Sequence, residues 1–231
     1  MGRYRGLLFD KDGTLFDFQK MWGGWTSDFL LDLAGGDTRL ADELAGAIRL
    51  DRAQRRYHPD SPVIAGTSQV ALDALLPKLP GMARDDLAAR MSANARAVPP
   101  VEAVPLRPLL RRLGEAGYIR GLATNDDESV ARTQLGRVGV LDLFDFVAGS
   151  DSGYGAKPAP GQCTAFAEAQ GLAADEVVMI GDSTHDLFAA RSAGMVPVAV
   201  LTGTATAGDL APHSAAVLAD IGELPAWLGL D

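Results

Sequence analysis

An α/β fold, with a parallel sheet held between helices, is what this sequence predicts, and three observations predict it. Short apolar runs that stop abruptly at polar residues recur in 1–16 and 101–231. Amphipathic helical spacing separates these runs, the alternation that goes with crossover connections and a parallel sheet. Between the two parts lies a stretch, 17–100, whose apolar residues recur only at helical spacing, which predicts an inserted all-helical domain.

The elements follow in order. Gly6-Leu7-Leu8-Phe9 reads as a buried strand stopped by Asp10-Lys11-Asp12-Gly13-Thr14. From Asp17 to Pro99, Phe29/Leu30/Leu33, Leu40/Leu44/Ala47/Ile48 and Leu72/Leu75/Leu76 mark about four helices, with Pro77 ending the third set. Pro99-Pro100 and Pro105 to Pro108 form a stiff boundary. Beyond it, helices are predicted at Leu109–Ala116, Glu128–Val138, Pro160–Gln170 and Asp186–Ala193. Strands are predicted at Tyr118–Ala123, Phe144–Val147, Glu176–Ile180 and Val196–Leu201, with Trp227 in a short closing helix.

Composition narrows the function. With 231 residues the chain is long enough for one large or two small domains with a real core. A net charge of −9 makes it a poor nonspecific ligand for nucleic acid or an anionic membrane. Asp10 interrupts the apolar run that a signal peptide needs, Gly6 breaks the myristoylation pattern, and no stretch is apolar for long enough to span a bilayer. The single cysteine, Cys163, is expected to be a buried helix residue and fits a reducing cytoplasm.

Polar residues collect where the strands end: Asp10, Thr124, Ser150-Asp151 and Asp182. Parallel sheets bind ligands at that rim. Asp10 and Asp12 sit two apart, Asp182 and Asp186 four apart, so the rim carries four carboxylates, with Lys157 as the evident basic partner. Such a cluster calls for a hard divalent cation, and oxygen ligands suit Mg²⁺. One Mg²⁺ and one lysine still leave a net charge of about −1, so one aspartate is expected to work protonated, as a general acid.

The ordered set is diagnostic. Asp10-Lys11-Asp12-Gly13-Thr14-Leu15 resembles the nucleophile motif of the haloacid dehalogenase superfamily, Thr124-Asn125 its second motif, Lys157-Pro158 its third, and Gly181-Asp182-Ser183-Thr184-His185-Asp186 its fourth. The resemblance implies a Rossmann-like core at 1–16 and 101–231, with residues 17–100 as a helical cap of the first type hinged at 16–18 and 98–105. It implies Asp10 as nucleophile, forming an aspartyl-phosphate, and Asp12 as acid and then base. Gly13, Thr124, Asn125 and Lys157 would hold phosphate, and Asp10, Asp182 and the Asp12 carbonyl would hold Mg²⁺. Asp186 would support the metal's waters or orient Lys157. A lysine about 4 Å from a phosphoryl group contributes roughly 4 kcal/mol of interaction.

Two departures carry information. Lys11 stands where many relatives have a bulky apolar residue, and either adds charge near the nucleophile or points to solvent. Asp12 favours phosphate esters, because the dehalogenases and phosphonate-cleaving relatives lack it. Within the insert, Arg49, Arg52, Arg55 and Arg56, with Tyr57 and His58, form a basic stretch. Arg52 and Arg56 are candidates for contacting substrate, against the alternative of a solvated helix face. His58, His185 and His213 lack metal-ligand spacing. Trp22 and Trp25 read as cap core or cap–core contact rather than as a substrate platform. The resemblance thus implies a phosphatase of a small phosphorylated metabolite, similar to phosphoglycolate phosphatase. A sugar phosphomutase and a noncatalytic metabolite-binding protein on the same fold are the alternatives.

Overall fold

The computed structural model describes residues 3–230. The chain divides into two compact units, Met1–Asp17 with Pro100–Asp231, and Phe18–Pro99. Along the chain, β1 (Gly6–Phe9) precedes the inserted unit, which holds a short π-helical turn (Gln19–Gly23), α1 (Gly24–Leu33), α2 (Thr38–Ala47), β2 (Leu50–Asp51), β3 (Arg56–Tyr57), α3 (Ser68–Leu75) and α4 (Arg84–Ala97). The first unit resumes with α5 (Leu106–Glu115), β4 (Ile119–Ala123), α6 (Glu128–Arg137), β5 (Phe146–Ala148) and α7 (Gly161–Gln170). It ends with β6 (Val177–Gly181), α8 (Thr184–Ser192), β7 (Val196–Val200), α9 (Ala207–Leu210), β8 (Ala216–Leu218) and α10 (Leu224–Trp227). No helix among the described residues is long and apolar enough to cross a membrane.

Six strands of the first unit form one parallel sheet in the order β5-β4-β1-β6-β7-β8. The first strand is therefore central, and the chain winds outward from it on both sides. All four residues of β1 and all five of β6 are buried, because helices cover both faces of such a sheet and leave no polar side to alternate with. Leu106, Leu109, Leu110 and Leu113 form the buried stripe of α5, with Arg107, Arg111 and Arg112 between them. This helix begins one turn earlier than its apolar spacing predicted. Pro108 falls in the first turn, where a missing N–H costs nothing, and Glu102 Oε2 accepts the Leu106 N–H at 2.8 Å. On α7, the fully buried Phe166 ring lies over Gly6 of β1 and Gly121 of β4, where a Cβ on either glycine would collide with neighbouring side chains.

The chain leaves and re-enters this unit side by side. Asp17 N–H donates to Val101 O at 2.8 Å and Ala103 N–H to Leu15 O at 2.9 Å, with Phe16 and Glu102 antiparallel between them.

The inserted unit has its own core, in which Leu30, Leu44, Ile48, Leu72, Leu75 and Leu87 meet Phe18 and Tyr57, with Trp22 packed against them. It is not all-helical as expected. The basic stretch forms the hairpin β2–β3 rather than a helix face, with Leu50 opposite Tyr57. The two-residue strands are held from outside. The Gln19 side chain both donates to Tyr57 O and accepts from Tyr57 N–H at 3.0 Å, and Ser61 Oγ donates to Ile48 O at 2.6 Å. Strand β8 also escaped the sequence reading.

Gly121→Ala should destabilise the protein by about 1–3 kcal/mol through overpacking against Phe166, although alanine restricts the unfolded chain more than glycine. Urea unfolding measures this. Equal or greater stability would show that the Phe166 ring has room to move.

Candidate active site

The carboxyl end of β1 delivers Asp10 to the rim of the sheet, and Asp10 N–H continues the ladder by donating to Ile180 O at 2.8 Å. Lys157 arrives from the loop between β5 and α7. Its Nζ donates to Asp10 Oδ1 at 2.5 Å, Asp186 Oδ1 at 2.6 Å and Ala123 O at 2.7 Å, which uses all three ammonium protons. The loop is seated by Asn125, whose Nδ2 donates to Lys157 O at 2.9 Å and whose Oδ1 accepts Lys157 N–H at 2.8 Å. Gln162 Nε2 pins the same region by donating to Thr124 O at 3.0 Å and Gly155 O at 3.1 Å.

Asp182 and Asp186 flank the turn from β6 into α8. The N-cap of α8 is Ser183. Asp186 Oδ2 accepts the Ser183 N–H at 3.1 Å and hydroxyl at 2.7 Å, leaving Oδ1 for Lys157. One oxygen of Asp186 thus fixes the helix start and the other fixes the lysine. Carboxylate oxygens of Asp10, Asp182 and Asp186 all lie within 4.8 Å of one another, and all three residues are buried. Asp182 is cradled by two glycines. Gly13 has φ +89°, and a Cβ at Gly13 or Gly203 would intrude on the Asp182 carboxylate. Thr202 Oγ1 closes this side by donating to Gly13 O at 2.5 Å.

The electrostatics follow from burial. Desolvation drives the Asp10 carboxyl up to about 7, against the pull of Lys157 and with the push of Asp186 and Asp12. Burial, reinforced by Asp10 and Asp186, also raises Asp182 well above the usual carboxylate range. Burial works against the Lys157 ammonium, but Asp10 and Asp186 overcome it and hold its pKa above that of an ordinary lysine. Three buried carboxylates facing one lysine leave negative charge to be offset. Hard oxygen donors of this kind fit a divalent cation of the Mg²⁺, Mn²⁺ or Ca²⁺ type rather than a soft metal.

Of the other sequence candidates, Thr124 is buried with its Oγ1 accepting the Asp126 N–H at 3.2 Å. Asp151 caps α6, accepting the Glu128 N–H at 2.8 Å. Asp12 Oδ2 lies 2.8 Å from Lys11 Nζ. Lys11 does not point to solvent. It is fully buried, and its ammonium also meets Asp126 Oδ2 at 2.6 Å and the Gln134 side-chain oxygen. In the inserted unit, Arg52 pairs with Asp42 and also donates to Thr38 O, Arg49 pairs with Asp60 at 2.7 Å and Arg55 with Asp28 at 2.6 Å. Arg56 alone of the four makes no ion pair among the described residues. Cys163 is buried, and burial pushes its thiol up to about 12. The sequence reading missed Gln162, Thr202, Gly203, Asp126 and Gln134. Only the glycine after β7 and the acid after Thr124-Asn125 offered a local hint.

At the end of the central strand, a buried aspartate thus shares its lysine with Asp186 and lies beside Asp182. Residues 4–194 match the family model for haloacid dehalogenase-like hydrolases, and the chain belongs to that family. It is 31% identical over 202 residues to a phosphoglycolate phosphatase of Xanthomonas campestris pv. campestris, an alignment covering 86% of this chain and 84% of that one. Among solved structures, the predicted phosphoglycolate phosphatase of Haemophilus somnus superimposes with a TM-score of 0.73 at 19% identity, covering 98% of this chain and 99% of that one. A candidate beta-phosphoglucomutase of Thermotoga maritima superimposes with a TM-score of 0.70 at 19% identity, covering 97% and 98%. At those identities the structures speak to fold alone.

The raised carboxyls give a sign to stability. An acid whose pKa is about 7 when folded and 3.8 when unfolded binds more protons in the folded state between those values. Its contribution is therefore present at low pH and is lost as pH rises through about 7. The melting temperature of chelator-treated protein should rise as pH falls from about 7.5 to 5.5, and Asp10→Asn should flatten the profile. A wild-type profile already as flat as the variant's would contradict the raised Asp10.

Proposed function

We propose that the chain is a Mg²⁺-dependent phosphatase of a small phosphorylated metabolite, phosphoglycolate first among the candidates, working through an aspartyl-phosphate on Asp10. One observation carries this reading. Lys157 binds Oδ1 of a buried aspartate at the ligand-binding rim, which leaves Oδ2 to attack phosphorus. The relatedness to a phosphoglycolate phosphatase across most of both chains supports the substrate class.

In this mechanism Asp10 Oδ2 forms a bond to phosphorus as the bond from phosphorus to the leaving oxygen breaks, and that oxygen takes a proton from Asp12. Water then attacks phosphorus in turn. Asp12 takes the water's proton, the bond from phosphorus to Asp10 breaks, and inorganic phosphate leaves. Lys157 stays charged throughout, holds Asp10 by Oδ1 and offsets negative charge on the phosphoryl group. Asp186 and the Ala123 carbonyl keep the lysine in place, and Asn125 acts by seating its main chain. The Thr124 hydroxyl, whose oxygen accepts from Asp126, keeps its proton for a phosphoryl oxygen. Gly13 leaves the phosphate room beside Asp182. The carboxylates of Asp10 and Asp182 and the Asp12 carbonyl would hold Mg²⁺, which when bound supplies positive charge to the phosphoryl oxygens. Residues 17–100 serve as the cap that selects the leaving group, and Arg56, the guanidinium not spent on an aspartate, is the residue we assign to a substrate carboxylate. Arg52 is already committed to Asp42. We place the reaction in the cytoplasm.

Phosphate release from phosphoglycolate, sugar monophosphates and nucleotides, with and without Mg²⁺, tests the reading. Selective Mg²⁺-dependent release, lowered about 10³-fold or more in Asp10→Asn, is the expected result. Isomerisation of a sugar phosphate primed by a bisphosphate would instead make the chain a mutase. Binding without turnover of any compound would make it a noncatalytic protein.

Arg56→Ala should lower kcat/KM about 10-fold on a carboxylate-bearing substrate and leave p-nitrophenyl phosphate nearly unaffected. Equal loss on both substrates would remove Arg56 from recognition.

A further inference from the structure

Two lysines are buried in the first unit, and the mechanism above uses only one. Lys11 sits directly before Asp12 with its side chain fully inaccessible. An ammonium is costly to bury unless every proton finds an acceptor. Lys11 has three: Asp12 Oδ2 at 2.8 Å, Asp126 Oδ2 at 2.6 Å and the side-chain oxygen of Gln134. They come from three places, the loop after β1, the loop after β4 and the body of α6.

Two of these partners are themselves fixed. Asp126 donates its N–H to Thr124 Oγ1, and its carbonyl accepts the Ser150 N–H at 2.9 Å. Gln134 is fully buried on its helix. Asp12 lies in the loop that bends sharply at Gly13, whose backbone is tied by Gly13 N–H to Phe16 O and Leu15 N–H to Lys11 O, and Lys11 Nζ meets its carboxylate. Lys11 thus ties the Asp12 carboxylate to Asp126 and Gln134 through one ammonium.

We infer that Lys11 is a positioning residue for Asp12: anchored by Asp126 and Gln134, its ammonium fixes where the Asp12 carboxyl stands relative to the leaving oxygen. Lys11 meets Asp12 at its carboxylate oxygen, not at the carbonyl assigned to the cation. The inference rests on the proposed role of Asp12 as the proton donor. A proton donor works only within about 2.6–3.2 Å of its acceptor, so a carboxyl that drifts costs most where the leaving group most needs the proton. An apolar residue of equal length at position 11 could fill the space but could not hold Asp12.

The test is Mg²⁺-dependent kcat/KM on phosphate monoesters running from p-nitrophenyl phosphate, whose leaving group departs unaided, to simple alkyl phosphates. Lys11→Met should lose about 10- to 100-fold on alkyl phosphates and less than about threefold on p-nitrophenyl phosphate, a fraction of what a general acid supplies. Because Lys11→Met strands two acids, Lys11→Met/Asp126→Asn is measured beside it. The double variant relieves the uncompensated Asp126 and should still show the leaving-group-dependent loss. Equal loss on every ester, or restored alkyl activity in the double variant, would overturn the inference and leave Lys11 as a counter-ion of Asp126. Asp12→Asn calibrates the series. If it steepens the leaving-group dependence while Lys11→Met does not, the inference alone fails. If Asp12→Asn itself loses activity equally on all esters, the general-acid reading falls and the inference falls with it.

Discussion

The ammonium of Lys157, sealed between Asp10 and Asp186, is the constraint on which the rest of the site depends. A buried lysine is stable only where carboxylates meet it, and buried carboxylates are stable only where a cation meets them. Each group therefore fixes the others. Asp186 must start α8 with one oxygen and hold the lysine with the other. Asn125 must seat the loop that carries the lysine, and Gln162 must tie that loop to the end of β4. Three segments far apart in sequence, at Asp10, Ala123 and Asp186, thereby meet at a single atom, Lys157 Nζ.

The sheet makes this possible. With β1 in the middle and β4 and β6 on either side, the three strand ends that carry Asp10, Thr124 and Asp182 lie next to one another without any loop having to reach. The loops add what the strands cannot supply. Glycine at 13 and 203 leaves the space that the Asp182 carboxylate occupies, and a side chain at either place would move it.

What could be read from sequence follows from range. The apolar runs of β1 and β6 and the leucine stripe of α5 announce themselves within a few residues, so the α/β class and the gathering of polar residues at the strand ends were legible. The strands β2 and β3, two residues each, are too short for any period to register, and β2–β3 exists because Gln19 and Ser61 hold it. Lys11 was ambiguous for the same reason of range. Its partners Asp126 and Gln134 lie 115 and 123 residues away, and nothing local distinguishes a lysine that turns inward from one that turns out. The arginines of the insert looked alike in sequence; their aspartate partners, not their spacing, separate Arg56 from the others.

The chain crosses out of the first unit and back as two adjacent antiparallel segments, Phe16 beside Glu102. Neighbouring strands lie only about 4.8 Å apart, so to the first unit the whole insert amounts to a hairpin loop. Its ends are fixed and its contents are not. Loops tolerate large changes in length at small entropic cost, and here the change could be an entire domain. A lineage could shorten, enlarge or exchange everything between the crossings while the acid cluster and its lysine stayed untouched. The architecture separates the evolution of the insert from that of the acid cluster.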